Sequence, residues 1–336
     1  MAEMLSRLPE IFEEVKKEYD AADFPGSFKT RKFAASSNVI ALGDNADFLY
    51  ELGRQKQLFD FVYIDPPFYS DADYKANIRL GGENVKLTVY QDKWKSRDDF
   101  LKMLLLRLFF IRGLLKDSGL AAVHLDTHSA HYVKVLMDAL MGEENFVNEI
   151  VWSYKSGGAG KRGFAKKHDT ILLYSKTKNF YFSPQKEISY NRNGSPYRFS
   201  GVEEFCDEDG RWYTLVNQKD VINIDMVGRT SSERTGYATQ KPEKLLSLLL
   251  RSCCPEGGRA LDVFAGSGSL GAAAAELGMN YFLCDISPIA YAISCRRLSE
   301  KKSRFKTIVS ADIDYAQALK KTGLSDDEIK ELTVIE

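Results

Sequence analysis

The sharpest chemistry in this sequence lies in four consecutive residues, Asp65-Pro66-Pro67-Phe68, directly behind the apolar run Phe61-Val62-Tyr63-Ile64. Two prolines continue neither a sheet ladder nor a helix, so they form a rigid turn at the carboxyl end of a strand. Ligands of open α/β sheets bind at that edge. The turn sets a carboxylate beside the free carbonyl of Pro66. Both are acceptors, matched to the two N–H donors of an amino group on a planar ring, and Phe68 offers a flat face on which the ring can stack.

A second turn, Asp262-Val263-Phe264-Ala265-Gly266-Ser267-Gly268-Ser269-Leu270-Gly271, follows a strand and opens a helix. Gly266, Gly268 and Gly271 match G-x-G-x-x-G, and Asp285 ends the next strand 19 residues after Gly266, a spacing that suits a carboxylate on ribose hydroxyls. By itself this fits a dinucleotide nearly as well as a methyl donor. Asp262 tilts the choice, because an anion there repels a pyrophosphate but holds the cationic methionine end of S-adenosylmethionine. A third segment, Thr239-Gln240-Lys241-Pro242-Glu243, starts a helix. Lys241 is placed to hold a ligand carboxylate there, although a capped helix with proline in its first turn explains the segment equally well.

Short apolar runs of strand length at Asn38–Leu42, Phe59–Ile64 and Leu120–Leu125, with helical patterns at Asp98–Leu115 and Ala130–Leu140, must position these turns. Such alternation predicts a parallel sheet covered on both faces. Ile150–Tyr154 and Thr170–Tyr174 read as an antiparallel pair at one edge. Between 155 and 235 helical periodicity gives way to Gly, Asn, Ser and aromatics. It returns with a helix over Lys241–Arg251, strands at Arg259–Phe264 and Tyr281–Cys284, and helices from about Gly268 and Pro288. The expected organisation is an N-terminal helical extension (1–37), one α/β domain in two halves (38–154 and 236–305) around an irregular insert (155–235), and a polar C-terminal tail (306–336). In the tail, Ser325 is a plausible cap for a short helix.

Taken in order, Asp65-Pro66-Pro67-Phe68, the stretch Glu233 to Pro242 and the turn Asp262 to Gly268 resemble the beta group of the DNA N-4/N-6 amino-methyltransferase family, over roughly residues 38 to 300. Gly43-Asp44-Asn45, Tyr90 with Asp92 and Trp94, and Gly142 to Phe146 are similar to type III modification subunits and their shorter relatives. Ala238 and Val263 depart from the family's usual prolines, at positions that carry no chemistry. The resemblance implies a Rossmann-like S-adenosylmethionine methyltransferase sheet with a catalytic half, a target-recognition insert and a methyl-donor-binding half. It implies that Asp65 and the Pro66 carbonyl orient the target amine and that Phe68 stacks on a flipped base. Asp262, Phe264, Gly266, Ser267 and Gly268 wrap the methionine moiety, with Lys241 and its neighbours Thr239 and Gln240 on its carboxylate. Asp285 takes the ribose, Ile286 faces the adenine and Asp44 bonds the adenine edge. The implied activity is methylation of N6 of adenine in duplex DNA. A homodimer and a cognate restriction enzyme are possible partners by analogy.

A formal net charge of −1 gives no global argument for nucleic acid, so basic surface must be local. From Lys155 to Arg198 ten Lys and Arg face two acids, with aromatics such as Phe164 interleaved, the footprint of a phosphate-binding surface. Lys155, Lys161, Arg162, Lys166 and Lys167 are the candidate DNA contacts. His124, Asp126, His128 and His131 match no metal-ligand spacing, and no metal is expected. Five cysteines without CxxC spacing, and no secretory segment or membrane-length run, predict a cytoplasmic protein of bacterial or phage type, associated with the nucleoid. N4-cytosine methylation is the nearest alternative, disfavoured because that group more often starts the turn with serine. A nicotinamide-dependent oxidoreductase leaves Asp65 to Phe68 unexplained. A catalytically silent DNA-binding module leaves the intact Asp65 without a role.

Overall fold

The computed structural model describes residues 2–23, 27–28, 32–34, 36–80, 82–155 and 162–333. In chain order the elements are α1 (Ala2–Asp20), β1 (Val39–Leu42), α2 (Asn45–Arg54), β2 (Phe59–Ile64), β3 (Ala72–Leu80), β4 (Glu83–Asp92), α3 (Arg97–Leu114), β5 (Leu115–Leu125), α4 (Ala130–Met141), β6 (Phe146–Ser153), β7 (His168–Ser175), β8 (Lys186–Tyr190), β9 (Glu204–Cys206), β10 (Trp212–Asn217), β11 (Val221–Asn223), α5 (Glu243–Cys253), β12 (Arg259–Asp262), α6 (Ser269–Glu276), β13 (Asn280–Asp285), α7 (Pro288–Glu300), β14 (Lys306–Val309), α8 (Tyr315–Lys320) and α9 (Asp326–Thr333).

The main sheet has the order β11-β6-β7-β5-β2-β12-β13-β1-β14. β7 alone runs against its neighbours. Both faces are covered, as its continuous apolar strands require. Val62 and Ile64 point into a core shared with α1 to α4, while Phe61 and Tyr63 point into a core shared with α5, α6 and one face of α7. The doubly covered α/β sheet expected from the sequence is present.

Its topology does not follow chain order. The late strands β12 and β13 insert between β2 and β1, so the two halves interleave in one sheet. Lys306–Val309, expected in a polar tail, is the edge strand beside β1. β7 and β11, inside the expected insert, are main-sheet strands, and β7 is internal, between β5 and β6. The apolar run Ile171–Tyr174 is the mark of a strand buried on both sides. What stands apart within 155–235 is a three-stranded sheet, β8-β10-β9.

The order of strands sets the site. β2, β12, β13 and β1 are consecutive neighbours, all parallel. At their common carboxyl edge, β2 is followed by Asp65, β12 ends on Asp262, β13 ends on Asp285 and β1 is followed by Gly43-Asp44. Four strands deliver four carboxylates to one edge.

Candidate active site

Asp44, Asp65, Pro67, Thr239, Lys241, Asp262, Phe264, Gly266, Ser267, Asp285 and Ile286 line a single cavity of about 260 Å³. The fold thus gathers residues from five separate segments of the sequence around one space. Pro66, Phe68, Gln240 and Gly268 are not on its lining.

Asp65 is held asymmetrically. Its Oδ2 accepts from Lys241 Nζ at 2.9 Å, while its Oδ1 is buried with no hydrogen-bond partner. Lys241 is itself 9% exposed and lies over the Phe68 ring at 5.3 Å. The lysine expected on a ligand carboxylate therefore pairs with the carboxylate of the proline turn. Behind Phe68, the His124 ring lies nearly parallel at 6.1 Å. One tautomer satisfies this fully buried histidine: Nδ1 accepts from the Tyr63 hydroxyl at 2.8 Å and Nε2–H donates to Asp169 at 3.1 Å. Burial, reinforced by the Lys241 charge, lowers its pKa and keeps it neutral. Both ring nitrogens serve the turn's support.

The glycine turn is built around carboxylates. Asp262 Oδ1 accepts from the Phe264 amide at 2.9 Å, and Asp285 accepts from the Gly266 and Ser287 amides, each at 2.8 Å. Burial, with Asp65 and Asp285 nearby, pushes Asp262 well above the usual carboxylate range. Burial pushes Asp285 up to about 6. Gly268 adopts φ +71°, and a Cβ there would fall 2.8 Å from Ser294 Oγ, so glycine is required. Ile286 stands 62% exposed at the rim.

Two supporting groups escape the sequence reading. Arg107 grips Asp44 with both carboxylate oxygens at 3.2 Å and donates to Asn45 at 2.8 Å, while Asn45 donates to the Val263 carbonyl at 2.9 Å. Its signal is a lone cation in the apolar run Leu104–Phe110. Arg297, buried, donates to the Ser267 carbonyl at 3.1 Å, Ser269 Oγ at 2.9 Å and Glu243 at 2.7 Å, bracing the glycine turn from behind. Gln240, expected at the ligand, instead accepts from the Thr235 amide at 2.8 Å and donates to the Glu233 carbonyl at 2.6 Å, which fixes its own loop.

The basic segment divides. Lys155, Arg162, Lys166 and Lys167 follow β6 and precede β7 on the same carboxyl edge as the cavity, around a fully exposed Phe164. Lys155 pairs with Asp225 at 3.4 Å, and Lys167 donates to the Lys155 carbonyl at 2.9 Å. Lys161 lies outside the described residues. Lys176 and Lys178 follow β7 at the opposite edge, donating to the carbonyls of Leu115 and Glu144. The +8 stretch is not one surface.

A fold of this order, with acidic residues at the ends of four adjacent strands and a glycine turn among them, defines a nucleotide-type ligand site in an α/β domain. The chain belongs to the DNA methylase family, whose N6/N4 model matches residues 59–295. It is 32% identical over 145 residues to the type II methyltransferase M.KpnI of Klebsiella pneumoniae, covering 43% of this chain and 33% of that protein. The matched region thus spans about a third of that relative's length. Among solved structures, the M1.HpyAVI–SAM complex superposes with a TM-score of 0.51 at 17% identity, covering 77% of this chain and 98% of that one. The cytosine-N4-specific PvuII DNA methyltransferase gives 0.53 at 12%, covering 88% and 95%. These likenesses concern the fold. Among the described residues no helix is long and apolar enough to cross a membrane.

Proposed function

We propose that this protein transfers a methyl group from S-adenosylmethionine to N6 of an adenine flipped out of duplex DNA. The observation that carries the reading is Asp65 Oδ1, a buried carboxylate oxygen left without a donor inside the cavity. A buried acceptor of this kind is costly unless a ligand donor meets it. An exocyclic amine is a poor nucleophile because its lone pair is delocalised. Accepting its N–H bonds at Asp65 and the Pro66 carbonyl favours a pyramidal nitrogen with the lone pair free, so alignment and electrostatics supply the rate. Lys241 fixes the carboxylate so that one oxygen alone is presented.

The residues fit the donor, which supplies an electrophilic methyl on a cationic sulfonium. Asp65, Asp262 and Asp285 line the cavity against Lys241, and a bound cation offsets the burial and the repulsion from Asp65 and Asp285 that raise Asp262. The same acids oppose the pyrophosphate of a dinucleotide. Asp285 is available to ribose hydroxyls, and Ile286 offers an apolar face to adenine. Because burial pushes Asp285 up to about 6, the acceptor is ionised above that pH and protonated below it. Donor affinity measured by calorimetry is expected to be level above pH 7 and to weaken by about tenfold per unit well below pH 6. Asp285→Asn should bind weakly and lose the step near pH 6. A level wild-type profile down to pH 5 removes Asp285 from the donor site, and a heat of binding with NAD in place of S-adenosylmethionine overturns the reading.

N4-cytosine methylation is the second reading, favoured by the likeness to the PvuII enzyme's fold and disfavoured by aspartate at the head of the turn. Nucleoside mass spectrometry of genomic DNA from cells expressing the protein decides. N6-methyladenine is expected, N4-methylcytosine moves the target base, and neither product in vivo and in vitro rejects the activity.

A further inference from the structure

The hairpin β3–β4 does not belong to the main sheet, yet it touches both walls of the candidate site. β4 ends on Asp92, whose carboxylate is 1% exposed and collects five donors. Oδ2 accepts from the Phe68 amide at 3.0 Å, the Ser70 amide at 2.8 Å and Ser70 Oγ at 2.7 Å. Oδ1 accepts from the Tyr69 amide at 3.2 Å and from Trp94 Nε1 at 2.8 Å. Three consecutive backbone amides therefore converge on one side chain. The chain they belong to is unfavourable by itself, since Tyr69 (φ 63°) and Asp71 (φ 55°) both take left-handed conformations that side chains resist.

The far half of the hairpin holds the other wall. Asn77 N donates to the Gly236 carbonyl at 2.9 Å, and Ala76 bridges to Tyr237. A Cβ on Gly236 would lie 2.0 Å from the Asn77 carbonyl oxygen, so the two segments meet without room for a side chain. Tyr90 of β4 and Tyr237 both line the cavity.

We propose that Asp92 is a positioning residue, an anionic latch that folds residues 68–70 onto the hairpin and so holds Phe68 in register with Asp65. This rests on the reading of Asp65 to Phe68 as the base-binding turn. Amide donors pointing at a carboxylate give strong, directional bonds, and five of them fill its acceptor capacity, leaving none for a ligand or a cation. The carboxylate bonds residues 68–70 and Trp94 and no residue of the glycine loop, so it governs the base-stacking ring rather than donor binding. In Asp92→Asn the shape is kept, but an NH2 group replaces one acceptor and faces donors.

The test uses the full chain. In Asp92→Asn, hydrogen–deuterium exchange in peptides spanning 66–72 should accelerate at least about tenfold, while the melting temperature of the rest of the domain holds. The turnover number should fall about 100-fold, with calorimetric affinity for S-adenosylhomocysteine within about threefold of wild type. Should that variant fail to fold, Ser70→Ala removes one of the five donors and should give a smaller acceleration confined to the same peptides. Unchanged exchange at 68–70 in either folded variant overturns the latch. Accelerated exchange with wild-type turnover overturns its role in positioning, as does equal loss of turnover and donor affinity. A wild-type protein that methylates nothing rejects the functional reading instead, and the exchange data still decide the latch.

Discussion

Asp65→Ala is expected to lower methyl transfer by at least about 10³-fold, because it removes the oriented carboxylate acceptor and leaves the amine only the Pro66 carbonyl. The donor should still bind, since the Asp262 and Asp285 contacts to the glycine turn do not pass through Asp65. The variant carries a second consequence. Lys241 pairs with Asp65 at 2.9 Å, and removing the partner leaves a buried ammonium exposed to burial cost. Breaking a buried pair on one side costs about 3–5 kcal/mol, so Asp65→Ala should also melt earlier. The double variant Asp65→Ala with Lys241→Met replaces the pair by apolar volume and should recover much of that stability while activity stays lost. Rapid-quench measurement of methyl transfer, donor calorimetry and thermal melts on the same three proteins separate the effects. If restored stability brings back turnover, Asp65 is a structural group. If donor affinity falls as far as turnover, it belongs to the donor site.

That pairing also marks where sequence reasoning stops. Asp65 and Lys241 are each legible: two prolines behind an apolar strand expose the first, and a helix start with proline exposes the second. Their contact crosses 176 positions, and only the insertion of β12 beside β2 brings the segments together. The glycine turn and Asp285 were readable because their geometry is local, a turn between a strand and a helix with a carboxylate at the next strand end. Arg107, Arg297 and Asp92 act through distant partners, and nothing in their neighbourhoods names those partners. The hairpin is a different case. Tyr74, Ala76, Ile78 and Leu80 alternate with polar residues, Val85, Leu87 and Val89 do the same, and Gly81-Gly82 separates the runs. That is a readable hairpin signal. β7 was read as a strand, but its place inside the sheet depends on pairing with β5, which periodicity does not encode.

The division of the basic segment yields the second large effect. If Arg162, Lys166 and Lys167 neutralise phosphates beside the candidate site, changing all three to alanine should reduce the slope of log affinity against log salt by about 2.7, at ~0.9 per phosphate contact on duplex DNA. Between 50 and 200 mM salt, wild-type binding should then weaken by about 40-fold more than the variant's. The loss should be uniform across sequences, because phosphate contacts position the duplex without reading bases. Lys176 and Lys178 provide the internal control, since they carry the same charge in the same stretch but sit at the opposite sheet edge, donating to backbone carbonyls. Their double alanine variant should keep the wild-type slope. Fluorescence anisotropy with specific and scrambled duplexes across a salt series measures all three proteins. A slope that falls equally in both variants means a diffuse field rather than a face. A slope that falls only in the control moves the DNA path to the far edge, where a base leaving the stack has no route to Asp65.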